Sequence, residues 1–493
     1  MIHLRKYQQT GEGQIRITAR KHNQFIYACA TGGGKTVIGA SITQKANMNK
    51  KRVLWLVHRD EIADQTVKKL VLFGINPGII QGKNYMKDSL THVAMVQTLV
   101  KRLNFLSKNG ILPDIIISDE CHHGTANSWM KIYSFLKEKK KNCCIIGLTA
   151  TPQRTDGIGL KSAGYTALIH GPQYPDLINP DYTGGYVHLS EPIVFYSPLT
   201  FKLSKSKGKK KRKDYDPETE QQIFGEKIVI NNCCDLYEKY FFSAPCIIFC
   251  ASVNDCFEVT AAMRARGWKG GSVYDKMDRE ERKDYISGLG NGKYNFLCSY
   301  DILGEGVDIP ITAGCILRRR TLSIIIYLQE IGRSARKYPG KKYNLIIDQC
   351  GNSIIHRHPL TRRIWTLDGL QRQKQEEEEK VSMTVCSSCG ALLADKPKTC
   401  PYCGESLKSE GFIEHTVKEV QAPMSILPSP VQQGFNDIAD IEEFEINDRE
   451  QAIIDRLRSG HMSSFDRFGE LARMIGKDRK WTNLVWRKYH EGG

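Results

Sequence analysis

Residues 29–36 read Cys29-Ala30-Thr31-Gly32-Gly33-Gly34-Lys35-Thr36, and the run Asp114-Ile115-Ile116-Ile117-Ser118 leads straight into Asp119-Glu120-Cys121-His122. Three consecutive glycines let backbone N–H groups turn inward around an anion, a space that a Cβ would obstruct. Lys35 can then reach the terminal phosphates, and the Thr36 hydroxyl can ligate Mg²⁺. The acidic pair supplies the other half of the chemistry. Asp119, at the C-terminal end of a buried strand, can hold the metal, and Glu120 can orient or deprotonate the attacking water. A glycine run alone is often only a turn. Joined to Lys-Thr and followed by a strand-ended acidic pair, it reads as a site that hydrolyses a nucleoside triphosphate.

Outward from these motifs, short apolar runs alternate with helical stretches. Strands are expected at Gln24–Ala28, Arg52–Val57, Thr91–Met95, Ile115–Ser118 and Cys144–Leu148, with an amphipathic helix over Ile62–Phe73. This alternation predicts an α/β fold, a parallel sheet wrapped by helices with ligand sites at strand C-termini. It stops near Ser197 and resumes near Ile223, with strands expected at Ala244–Cys250, Gly271–Tyr274, Tyr294–Cys298, Gly314–Arg318 and Asn344–Asp348. The second unit has no glycine-rich phosphate loop. Two sheets with one loop suggest two lobes sharing a nucleotide in the cleft between them. The expected organisation is a first lobe over 1–196, a basic linker over 197–222, a second lobe over 223–368, a cysteine-bearing unit over 381–408, an acidic, proline-containing linker over 409–445, and a small helical element over 446–493.

The chain has 493 residues, 41% of them hydrophobic and 25% charged, as expected of a globular protein with buried cores. No apolar signal core opens it and no run approaches a membrane span, so a soluble, cytoplasmic protein without membrane partners is expected. Most of its 16 cysteines are scattered through apolar segments, which fits a reducing compartment. A net charge of +17 points to a polyanionic partner. Eight basic residues fall between Lys202 and Lys213; they form either a solvated loop or a row of sequence-independent phosphate contacts.

With loop, acidic pair and second lobe in place, residues 1–365 resemble superfamily-2 helicases of the DExH type. Leu4-Arg5-Lys6-Tyr7-Gln8 is similar to the adenine-reading motif, with Gln8 on the base edge. Val57-His58-Arg59-Asp60-Glu61 resembles the first nucleic-acid motif and Gln97-Thr98 the next. Thr149-Ala150-Thr151-Pro152 resembles the motif that couples hydrolysis to movement, and His122 would relay between lobes, toward Gln329. In the second lobe, Ile248-Phe249-Cys250-Ala251-Ser252 and Gly304-Glu305-Gly306-Val307-Asp308 fill their places. Gln329-Glu330-Ile331-Gly332-Arg333-Ser334-Ala335-Arg336 resembles the motif whose two arginines cross the cleft to the triphosphate and neutralise transition-state charge. The resemblance implies two RecA-like lobes. ATP would be held by Gln8, Thr31, Gly32, Gly33, Gly34, Lys35, Thr36, Gly306 and Asp308, and Mg²⁺ by Thr36 and Asp119. Catalysis would fall to Lys35, Asp119, Glu120, Arg333 and Arg336, coupling to His122, Thr149, Thr151 and Gln329. Nucleic acid would meet Arg59, Gln97, Thr98 and Ser252. Tyr300 departs from the Thr often found there. Glu305, in place of the Arg common in RNA-dependent DEAD-box proteins, resembles DNA-acting members. The finer likeness is to RadD-like and XPB-like helicases and their phage or prophage relatives.

Cys386-Ser387-Ser388-Cys389-Gly390 and Cys400-Pro401-Tyr402-Cys403-Gly404 form two knuckles, each turning both sulfurs toward one point. Four thiolates so arranged suit tetrahedral Zn²⁺, and a compact zinc ribbon is expected. The tail from Gly476 to Tyr489 interleaves basic and aromatic residues. These either stack on bases or, through Trp481, Val485 and Lys488, form a docking face.

The whole points to an ATP-dependent DNA helicase or translocase with ATP, Mg²⁺ and Zn²⁺ as cofactors. By resemblance it would work in replication, recombination or repair, in a bacterial or phage-infected cell. Single-stranded or forked DNA would be its partner, with a single-strand-binding or recombination protein beside it. The rivals are an RNA helicase with the same engine and a clamp that uses ATP only as a switch. A nuclease-coupled restriction motor is disfavoured, because no acidic pair with a lysine of nuclease type lies outside the lobes.

Overall fold

The computed structural model describes residues 3–82, 89–155, 157–184, 187–196, 227–303, 309–370, 384–386, 388–393 and 397–407. The first sheet comprises β1 (Gln24–Ala28), β2 (Val53–Val57), β3 (Gly78–Ile80), β4 (Thr91–Met95), β5 (Ile115–Asp119), β6 (Cys144–Thr149) and β7 (Ala167–His170). They lie in the order β3-β4-β2-β5-β6-β1-β7, every pair parallel. Parallel strands covered by helices on both faces need apolar side chains throughout. All five residues of β1, of β2 and of β4 are accordingly buried.

The three helices that matter most are α1 (Lys6–Thr18), α2 (Lys35–Met48) and α3 (Asp60–Leu72). At Gly39 of α2 an added Cβ would lie 2.5 Å from the Trp55 ring, so glycine there lets the helix settle on the sheet. The Trp55 indole N–H then donates to the Thr43 hydroxyl at 3.0 Å. The chain leaves β1 through α2 and returns at β2, two strands beyond its neighbour β6. That change of direction opens a crevice at the C-terminal ends of β1, β6 and β5, where ligands of such sheets bind.

The second sheet contains β8 (Glu191–Tyr196), β9 (Cys246–Phe249), β10 (Gly270–Val273), β11 (Phe296–Ser299), β12 (Gly314–Leu317) and β13 (Tyr343–Asp348). The short strands β14 (Trp365–Thr366) and β15 (Gly369–Leu370) form a separate hairpin, and β16 (Thr384–Val385) and β17 (Ala391–Leu393) complete the large sheet. Its order is β10-β11-β9-β12-β13-β8-β17-β16. Two boundaries differ from those read in the sequence. Glu191–Tyr196, expected to close the first lobe, pairs with β13 over its whole length and so belongs to the second. The ribbon is not a separate unit either, because β17 pairs antiparallel with β8 and extends the same sheet. Composition did not separate these cases, since an apolar strand reads alike in either sheet.

After the second lobe the chain comes back to the first. Arg363 N–H donates to Gln173 Oε1 at 2.8 Å while Gln173 Nε2 donates to the Arg363 carbonyl at 2.9 Å. Leu370 N–H donates to Gln153 Oε1 at 3.0 Å, just past Thr149–Pro152. Arg282 pairs with Glu61 at 2.9 Å on the other side of the cleft. The expected segments 197–222, 409–445 and 446–493, with the basic run and the tail, lie outside the described residues.

Candidate nucleotide cleft and nucleic-acid interface

The glycine loop connects β1 to α2. Gly32 and Gly34 take φ of +83° and +84°, in the left-handed region that glycine enters without strain. An added Cβ at Gly33 would sit 2.4 Å from Cys29 Sγ, and one at Gly34 2.4 Å from Gln8 Nε2. Gln8 thus lies against the loop, while its Oε1 accepts from Arg5 N–H at 3.0 Å and closes the start of α1. The Tyr7 hydroxyl donates to the Gly33 carbonyl at 3.2 Å, a contact the sequence did not single out. The buried Lys35 ammonium donates to the Cys29 carbonyl at 3.3 Å. Lys35 and Thr36 open α2, whose first backbone N–H groups have no intrahelical acceptor. The loop and this helix end make a site for an anion.

Two strands away, β5 ends at Asp119, whose Oδ1 accepts from Glu120 N–H at 3.1 Å. Burial, then the neighbouring Glu120 charge, push Asp119 up to about 6, and Lys35 pulls it back down. Such a carboxyl is suited to a cation that restores its charge. Glu120 stands at φ +48°, uncommon for a residue with a side chain. His122 Nδ1 lies 3.3 Å from the Glu120 carboxylate and 3.1 Å from Thr149 Oγ1. Thr151 N–H donates to Thr149 Oγ1 at 3.1 Å, and the Thr149 carbonyl accepts from Cys29 N–H at 2.9 Å. His122, Thr149 and Thr151 are therefore joined to each other and to the start of the phosphate loop.

The helix Ile324–Ser334 of the second lobe packs against that loop. A Cβ added to Gly332 would lie 2.7 Å from Thr31 Cβ, and one on Gly32 would lie 3.8 Å from Arg336 Cγ. Arg336 is fixed beside the loop by a β-bridge to Leu189 and by the Ser190 N–H, which donates to the Ala335 carbonyl at 2.7 Å. Gln329 and Arg333 are buried in the same helix. Of the expected ATP-binding residues, Gly306 and Asp308 lie outside the described residues.

Residues 1–154 match the family model described as type III restriction enzyme, res subunit, and residues 229–338 match the helicase conserved C-terminal domain. This chain belongs to the superfamily-2 helicases. A 51.5 kDa protein of Lactococcus phage (isolate 7-9) is 29% identical over 398 residues, 80% of each chain. The DNA 3'-5' translocase XPB2 of Sulfurisphaera tokodaii is 22% identical over 352 residues, 64% of this helicase and 76% of that protein. The ATP-dependent helicase IRC3 of Saccharomyces cerevisiae, provisionally so named, is 28% identical over 71% of this chain; the chain spans 52% of its length. A pre-mRNA-splicing RNA helicase, PRP28 of Yarrowia lipolytica, matches over 21% of the chain. Among solved structures, a fragment described as an HsdR subunit of a type I restriction enzyme from Vibrio vulnificus has a TM-score of 0.54 at 21% identity. It covers 72% of this chain and 65% of that one.

The expected nucleic-acid residues of the helicase fall on both lobes. Arg59 precedes α3, and its guanidinium donates across the cleft to the Asp301 carbonyl at 3.0 Å. Gln97 Nε2 donates to the His58 carbonyl at 3.0 Å, and Thr98 Oγ1 accepts from Gly82 N–H at 3.2 Å. Ser252 caps the helix Val253–Ala265 by accepting from Asp255 N–H at 3.0 Å. Asp255 in turn makes a fully buried ion pair with Arg318 at 2.7 Å, which sequence reading missed. The basic triplet Arg318-Arg319-Arg320 at the end of an apolar strand was the available signal. Tyr300 lies beneath the Arg319 guanidinium, 5.2 Å from ring centre to Arg319 Cζ, and Arg319 closes on the Asp301 carboxylate.

The four ribbon cysteines converge. Their Sγ atoms lie within 4.8 Å of one another, with Cys386–Cys403 at 3.6 Å and Cys389–Cys400 at 3.7 Å. Thiolates around tetrahedral zinc, at Zn–S of about 2.3 Å, stand roughly 3.8 Å apart, so the donor set fits. Gly390 and Gly404, at φ +75° and +76°, make the two turns. Cys386 and Cys400 are buried in the second lobe's core with Phe195 and Tyr240. Among the described residues no helix is long and apolar enough to cross a membrane.

Proposed function

We propose that this helicase hydrolyses ATP in the cleft between its lobes and uses the closure to move along or unwind DNA. The carrying observation is the seating of Gly332 on Thr31 and of Arg336 beside Gly32, which brings a second-lobe arginine to the glycine loop of the first. In this reading Gly32, Gly33, Gly34, Lys35 and Thr36 grip the phosphates, and Gln8 reads the base edge beside them. Asp119 and Thr36 hold Mg²⁺, which offsets charge on the phosphates. Glu120 takes the proton of the attacking water, and Arg333 and Arg336 stabilise the charge that develops as the bond breaks. His122, Thr149, Thr151 and Gln329 carry the change between the lobes, and Arg59, Gln97, Thr98 and Ser252 face the strand. The four ribbon cysteines hold structural Zn²⁺.

DNA is favoured over RNA because the relative named a DNA translocase matches across 64% of the chain, against 21% for the RNA helicase. The res-subunit model matches residues 1–154, the motor lobe, and supports the engine. Replication, recombination or repair is the proposed setting, beside a single-strand-binding or recombination protein. The test is the ATPase rate of the full chain with single-stranded, duplex and forked DNA and with RNA. Stimulation by DNA above RNA is expected. Preference for RNA would replace the substrate, and tight ATP binding without turnover would leave a switch-operated clamp.

A further inference from the structure

His123 is unused by the engine described above, yet it sits between its two working parts. The His58 ring, at the end of β2, lies 4.2 Å from the His123 ring between centroids, tilted by 51°. His123 in turn lies 4.3 Å from His122 at 40°. Beyond His122 is the Glu120 carboxylate, 3.3 Å from Nδ1. At the other end, Gln97 donates to the His58 carbonyl at 3.0 Å, and Arg59 follows His58 in the chain and reaches the second lobe. Three rings in van der Waals contact thus form an unbroken path from the Arg59–Gln97 surface to the catalytic carboxylate.

We infer that His123 is a positioning residue through which a strand on Arg59 and Gln97 sets the Glu120 carboxylate. The inference rests on the reading of those two residues as strand contacts and deepens it. Packed rings cannot interpenetrate, so a shift of the β2–α3 turn must be taken up by His123 and passed to His122. Glu120 receives it at a backbone position of φ +48°, where its conformation depends on its neighbours and not on intrinsic preference. A bulky flat group at 123 is what the transmission needs. Ring charge is not required.

The test compares His123→Ala and His123→Phe with wild type for basal ATPase, ATPase at saturating polydeoxynucleotide, and DNA affinity by titration. Wild-type basal rate and DNA affinity are expected in both variants. The DNA-stimulated rate should fall about tenfold in the alanine variant, within the usual range of coupling between sites, and be restored in the phenylalanine variant. His58→Ala should produce the same loss, and the double variant should be no worse than either single one, because both break one path. Full stimulation of His123→Ala, additive losses, or an equal fall in basal and stimulated rates would overturn the inference while leaving the engine standing. A wild type that hydrolyses ATP without response to any polynucleotide would overturn the functional reading itself.

Discussion

Glu120 joins several constraints at one residue. It is buried, holds a left-handed backbone, follows Asp119, the proposed Mg²⁺ ligand, and faces His122. Replacing its carboxylate by an amide keeps the shape and removes the proposed base. Glu120→Gln should therefore bind ATP as wild type while single-turnover hydrolysis falls by about 10²–10⁴, the usual worth of a positioned base. Near-normal turnover would remove Glu120 from the mechanism. At this scale the sequence was most informative. Spacing alone proposes Lys35, Asp119 and Glu120, because phosphate and metal chemistry constrains residue type. Tyr7 and His58 were not legible, since a hydroxyl on a loop carbonyl or a ring on a ring depends on elements distant in the chain.

Among the elements, the ribbon departs furthest from its sequence reading. Two knuckles in so short a segment suggested a compact zinc ribbon separate from the lobes. Instead β17 is a strand of the second lobe, and Tyr196 N–H donates to the Gly390 carbonyl at 2.9 Å. Loss of the proposed zinc should then reach the motor. Cys400→Ser, or chelation of the wild type, should lower the melting temperature of the second lobe and reduce ATPase, read by calorimetry with elemental zinc analysis. A variant without zinc that melts and hydrolyses as wild type would make the ribbon an appendage. The same physics explains β8: an apolar run of six residues reveals that it is a strand, while its partner is decided by how the chain crosses between lobes.

One contact between the lobes lies beside a group that titrates. His358 is buried beside Arg363, the residue that exchanges hydrogen bonds with Gln173 of the first lobe. Burial, then the Arg363 charge, hold His358 down at about 4. Its Nδ1 accepts from Leu360 N–H at 3.3 Å, which only the neutral ring can do. With the folded value below the unfolded one of about 6.5, the unfolded chain binds more protons between these limits, and stability falls as pH drops through that window. Chemical denaturation between pH 7 and pH 4 should show a loss on the order of 2 kcal/mol that His358→Gln abolishes. An unchanged pH slope in that variant would assign the acid loss to other groups.

The ten strands expected from alternation are all present among the described residues. The closed cleft was not legible in the sequence, because it rests on Gly332 meeting Thr31 and on a return of the chain at Gln173 and Gln153. Hydrolysis by Arg336→Ala in the full chain probes that closure. Arg336 lies beside the phosphate loop though it belongs to the other lobe, and an arginine supplied across such a cleft is worth about 10³–10⁵ in rate. A loss on the order of 10³ in DNA-stimulated ATPase is expected, with equilibrium binding of DNA unchanged in the absence of nucleotide. Wild-type hydrolysis, or a loss found only in DNA affinity, would contradict a nucleotide site completed by the second lobe.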